Sequence, residues 1–218
     1  MKLLALSYFL LAFVALCSCN KSLIVGSGPV GRVTRSVSTF NGVVTHGDIK
    51  AVIRYGTTQQ VVLEGYENIL NITTATVENG HLVLAYNHQY NTIRNSNVVA
   101  YIEIPALQFL NIHGSSEIDA SGFLTQQQLT TRINGSGTIY LANSAYQQAT
   151  FYINGSGNIK ARTTPIQNAN VHINGSGNVE VHAIQSLEVN MHGSGNVRYL
   201  GNPQLNVSSH GSGTVRRL

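Results

Sequence analysis

Glu117 and Asp119 stand two residues apart, a spacing that puts both carboxylates on one face of a strand. A pair of carboxylates is what general acid and base work on a glycosidic bond requires. His113, His192 and His210 each precede a glycine in copies of a recurring segment, with His172 and His182 nearby. Stacked imidazoles can bind a metal, but a site needs three or four converging ligands with support behind them. The same column is Asn134, Asn154 and Asn174 in other copies, so its common requirement is polarity and no metal is assigned. Gly26-Ser27-Gly28-Pro29-Val30-Gly31, after Leu23-Ile24-Val25 and with Asp48 downstream, matches the GxGxxG dinucleotide pattern. That pattern works only between a strand and a helix. The β-branched run from Arg32 to Phe40 starts no helical period, so the segment reads as a Gly/Ser/Pro linker and no cofactor is expected.

Cys19 is the remaining reactive position. Lys2 and the apolar run from Leu3 to Leu16 read as a bacterial secretory signal, too short for a spanning helix of about 20 residues. Leu16-Cys17-Ser18-Cys19 resembles the lipobox of bacterial lipoproteins, so residues 1–19 are read as a lipoprotein signal peptide and Cys19 as the lipidated residue. Asn20 leans toward an outer-membrane address. The mature chain then keeps at most Cys19, so no internal disulfide can staple the fold. The net charge is +4, but the basic residues are scattered and do not interleave with aromatics, which argues against a nucleic-acid partner. Only 10% of residues are charged and there is no Trp, the profile of an all-β extracytoplasmic protein.

The elements that must position these groups are repeats. Ile133-Asn134-Gly135-Ser136-Gly137-Thr138-Ile139 returns from Ile153, Ile173, Met191 and Ser209, with a degenerate first copy from Ile112. The period is roughly 18–21 residues, in the range of stacked solenoids. Ile133, Ile153 and Ile173 share one apolar column, and Ile139, Ile159 and Val179 share another. Arg132, Tyr140, Tyr152, Lys160, His172, Glu180 and Arg198 alternate with them, so they point outward and form the candidate binding face. Asn-Gly between apolar residues is also a hairpin signal, which leaves an antiparallel meander as a competitor. Whole repeats align position by position, which favours an all-β parallel β-helix, or β-solenoid. Residues 20–36 form the linker, 37–105 an N-terminal β section continuing into the same architecture, and 106–218 the Gly-Ser-Gly solenoid. Ser209 and Arg217, polar where other copies are apolar, mark a C-terminal cap.

Phe40 with the Gly47 to Ile53 segment, Glu64 to Leu70, Val77 to Leu82, Ile104-Pro105-Ala106-Leu107 and the Gly-Ser-Gly series together carry a family resemblance. The chain resembles the bacterial family called putative auto-transporter adhesin, head GIN domain, from about Val37 to Val215. The resemblance implies a β-helical fold in two sections and brings no catalytic or ligand residues with it. The expected function is a non-catalytic, adhesin-like binding or structural module of the cell envelope. Its lipid anchor sits in the membrane, and an extended polysaccharide or protein is its partner. A carbohydrate-active β-helix enzyme, a polysaccharide lyase or hydrolase, is the second reading and rests on Glu117 and Asp119.

Overall fold

The computed structural model describes residues 23–87 and 92–218. The expected signal peptide, residues 1–19 with Cys19, lies outside the described residues. Alternation of apolar and polar side chains builds strands in which every second residue is buried, as in Gln126–Gly135 and Tyr146–Gly155. These strands wind into a β-solenoid of about five turns. Each turn has two sides, which we call face A and face B. Face A holds the strands that run into the rung glycine: Gly42–Gly47, Phe109–Gly114, Gln126–Gly135, Tyr146–Gly155 and Gln204–His210. Face B holds those that leave the corner: Lys50–Tyr55, Glu117–Ser121, Thr138–Ala142, Asn196–Leu200 and Thr214–Arg217. Asn158–Gly175 and Asn178–Gly193 run through a whole turn and serve face B with their first half and face A with their second.

Stacking is parallel and in register, with Gly114, Gly135, Gly155, Gly175 and Gly193 one above another. Ile112, Ile133, Ile153, Ile173 and Met191 make one inner column, and Ile118, Ile139, Ile159, Val179 and Val197 another, all fully buried. Burial of such a side chain is worth roughly 1.5–3 kcal/mol, so the stack has a core although a single rung has none. The rung ending at Gly175 is longer than the one ending at Gly193. Register shifts between Ala161 and Pro165 and between Ile166 and Asn168 absorb the difference.

The corner glycines explain why the hairpin reading fails. At Asn79-Gly80 both residues have positive φ, 51° and 79°, and the chain makes an antiparallel hairpin between Thr73–Glu78 and His81–Tyr86. At Asn134-Gly135 only the glycine does, with φ of 137°. A Cβ on Gly135 would run into the carbonyl oxygen of Gly114 in the rung below. Glycine here answers both a backbone angle and the close approach of successive corners.

The N-terminal section belongs to the same coil and adds a rung that the repeat alignment missed. Gly42–Gly47 lies in register on Phe109–Gly114, with His46 beside His113 and Gly47 beside Gly114, and Lys50–Tyr55 lies on Glu117–Ser121. On the far side of that rung lie His81–Tyr86 on face A and Val99–Ile104 on face B, also parallel. Beyond them the pairing turns antiparallel, with Thr73–Glu78 closing face A and Gln60–Tyr66 extending face B. A single helical turn, Glu67–Leu70, buries Ile69 and Leu70. The expected linker, residues 20–36, is described only from Leu23 on, and that part carries two strands. Leu23–Val25 pairs with Thr92–Arg94, and Val30–Thr34 is the antiparallel neighbour of Gln60–Tyr66. The β-branched run that excluded a helix after Gly31 begins in this edge strand and leaves it after Thr34. At the C-terminal end Gln204–His210 is exposed throughout, with Leu205 at 43% and Val207 at 41%.

Candidate functional site

Strand pairing sorts the seven expected binding residues onto two surfaces. Arg132, Tyr152 and His172 are register partners on face A, while Tyr140, Lys160, Glu180 and Arg198 are register partners on face B. The single face expected from alternation is therefore two ladders.

On face A the ladder is a stack. In-register strands repeat each position at about 4.8 Å, a separation at which planar groups lie on one another. Tyr152 stacks on His172 with centroids 4.8 Å apart and planes 10° from parallel. The Arg132 guanidinium lies 5.3 Å from the Tyr152 ring and 5.8 Å from that of Phe109. Phe109 in turn stacks on His81 at 4.4 Å. Gly42 lies between these last two and is the register partner of both. A Cβ there would meet the His81 ring and the Cβ of Phe109, so glycine lets the rings close over it. The stripe from His81 to His172 crosses six strands, a length of roughly 24 Å. Phe109 and Tyr152 each have a ring on one side and the Arg132 guanidinium on the other, so they meet solvent by their edges.

Beside this stripe runs the column before the rung glycine. Asn174 donates to Asn154 at 3.1 Å and Asn154 to Asn134 at 3.0 Å, and Asn134 reaches out of the column to Asn111, the register partner of Arg132, at 3.4 Å. Stacked imidazole pairs flank these amides, His46 with His113 at 4.8 Å and His192 with His210 at 4.9 Å. Among the described residues no three of His, Cys, Asp or Glu converge as metal ligands.

Face B is held by local pairs. Lys160 lies 4.9 Å from the Tyr140 ring, and Arg198 is 3.7 Å from Glu180. Asn178 donates to Asn158, Asn196 to Asn178 and Thr214 to Asn196, at 3.1, 3.0 and 2.6 Å. Glu117 and Asp119 also lie on this face, and both are engaged. Lys50 is 2.6 Å from Glu117, and Arg54 holds both carboxylate oxygens of Asp119 at 3.1 and 3.2 Å. The cations come from the rung that the alignment missed, so the pairing was invisible in the sequence. The signal that could have revealed it is His46-Gly47 with apolar Ile49, Ala51 and Ile53 at alternate positions.

The same architecture occurs in solved structures. A putative adhesin from Bacteroides fragilis NCTC 9343 is 20% identical, with 89% of this chain and 100% of that one covered at a TM-score of 0.73. A putative lipid binding protein from Parabacteroides distasonis ATCC 8503 is 19% identical, with 90% and 100% covered at a TM-score of 0.60. No curated protein matches the sequence. The sequence profile of one family covers residues 39–203, from just before the strand Gly42–Gly47 to just before Gln204–His210, and the chain belongs to that family, "Putative auto-transporter adhesin, head GIN domain".

Proposed function

We propose that the mature chain is a non-catalytic, adhesin-like binding module of the cell envelope, anchored through lipid on Cys19, that holds an extended polysaccharide or protein along face A. Family membership and the adhesin among the similar structures support an envelope-associated or extracellular binder. The observation that carries the reading is the continuous stripe Phe109, Arg132, Tyr152 and His172. An active site gathers a few unlike groups around one point. A ladder instead repeats hydrogen-bonding edges at a fixed spacing, which suits weak contacts summed along a polymer. The carboxylates on which hydrolysis would rest are spent in ion pairs with Lys50 and Arg54.

The test is binding of the purified mature protein to arrayed envelope polysaccharides and outer-membrane fractions. A combined Arg132→Ala, Tyr152→Ala, His172→Ala variant should bind at least tenfold more weakly while its thermal midpoint moves little. Undiminished binding by a folded variant would remove face A from the reading. Depolymerisation of a polysaccharide that disappears in Glu117→Gln, Asp119→Asn would replace it by the enzymatic one.

A further inference from the structure

At the N-terminal end of face A, where pairing turns antiparallel, the surface sinks into a groove of about 870 Å³. Its shape follows from side-chain length. The outward residues of His81–Tyr86 here are Val83 and Ala85, too short to fill the space between the edge strand Thr73–Glu78 and the corner at Gly47. With Ile93 they make an apolar floor. One wall carries Thr74, Thr76 and Glu78, all exposed on the edge strand. On the other, Asp48 accepts from the Tyr86 hydroxyl and from Ser96, each at 2.7 Å. Two hydroxyl donors hold this carboxylate in one orientation, and burial pushes the Tyr86 phenol well above its ordinary value, so it stays a donor.

Among the described residues lining the groove there is no Lys or Arg, while two carboxylates face it. That disfavours an anion and favours a ligand that donates hydroxyl hydrogens. The apolar floor asks the same ligand for a C–H face. Hydroxyls around the rim of a ring and C–H groups across its flat are the chemistry of a neutral sugar, and the volume lies within the range of about 300–1,000 Å³ typical of small-ligand sites. We propose that this groove is a discrete site for a short neutral oligosaccharide, with Glu78 and Asp48 as hydroxyl acceptors and Val83, Ala85 and Ile93 under the ring face. It is separate from the Arg132 to His172 ladder and does not depend on it.

Isothermal titration of the mature protein with maltohexaose, cellohexaose, mannohexaose and chitohexaose, and with hexagalacturonate as the anionic control, tests this. At least one neutral hexasaccharide should bind and hexagalacturonate should not. Thr76→Arg, on an exposed edge position, plugs the groove and should abolish binding; Glu78→Gln should weaken it at least fivefold. Thr74→Arg replaces Thr76→Arg if the latter lowers the thermal midpoint. The Arg132→Ala, Tyr152→Ala, His172→Ala variant should bind as wild type does. The proposal is overturned if no neutral sugar binds, if hexagalacturonate binds better, if the plugged variants keep full affinity, or if only the ladder variant loses it.

Discussion

Neighbouring residues with opposite fates show how sharply alternation divides this chain. Ile153 is fully buried in the inner column, while Tyr152 stands outside against His172. Ile153→Ala should cost about 2–5 kcal/mol in chemical denaturation as a core truncation, and Tyr152→Ala much less. Equal costs would mean the register is read on the wrong side. Two buried threonines differ in another way. Thr45 shares a 2.5 Å hydrogen bond with Ser116, whereas the Thr131 hydroxyl is buried without a partner. Thr131→Val keeps the shape and removes an unpaired polar group, so the denaturation midpoint should rise by an equivalent of about 1 kcal/mol. Thr45→Val leaves Ser116 unpaired and should lower it. His81 supplies a pH dependence. Its Nδ1 is shut from solvent without a partner, and desolvation lowers its pKa below the ordinary value of 6.5. The unfolded chain then takes up a proton that the folded one resists. The stability concerned is whole above about pH 6.5 and declines as pH falls through that value toward the depressed one. In His81→Gln the decline in stability between pH 7.5 and 5 should be shallower than in wild type.

At the level of elements, the same dipeptide serves two turns. Gly80 has φ of 79° with nothing close to where a Cβ would stand. Gly80→Asn should therefore cost less than about 1 kcal/mol, since asparagine tolerates the left-handed region. Gly135 has φ of 137°, and a Cβ there would also run into the Gly114 carbonyl oxygen. Gly135→Ala combines backbone strain with a clash and should cost at least about 3 kcal/mol, or prevent folding. Thermal melts of the two variants side by side test whether the rung corner, rather than the turn sequence, sets the requirement.

Over the whole molecule, one hydrophobic cluster runs from Phe40 to Val197, so the missed rung and the repeats share a core. Its ends differ. The N-terminal end is closed by antiparallel strands, whereas Gln204–His210 is exposed at every residue. Stability in a stack propagates through neighbours and falls at an uncovered rung. Amide hydrogen exchange should show strongest protection in Gln126–Gly135 through Asn178–Gly193 and weakest in Gln204–His210 and Thr214–Arg217. Uniform protection to the last strand would point to a covering element or partner at that end. The proposed lipid anchor is tested separately: Cys19→Ser should release the protein from the membrane fraction and abolish acyl labelling.

Length, period and alternation were enough to determine the stacked β architecture, because a short rung with one apolar face can bury it only against copies of itself. They also settled which residues point inward, since a period of two is independent of what the strand packs against. They could not say which outward residues share a surface, because alternation looks the same on both sides of the corner. Only the coil separates Arg132, Tyr152 and His172 from Tyr140, Lys160, Glu180 and Arg198. The missed rung was hidden because Thr45 stands in the isoleucine column and a long excursion intervenes before Phe109. That rung brings Lys50 to Glu117 and Arg54 to Asp119, turning an apparent catalytic pair into two ion pairs, and pairing between segments far apart in sequence is something only the tertiary structure decides.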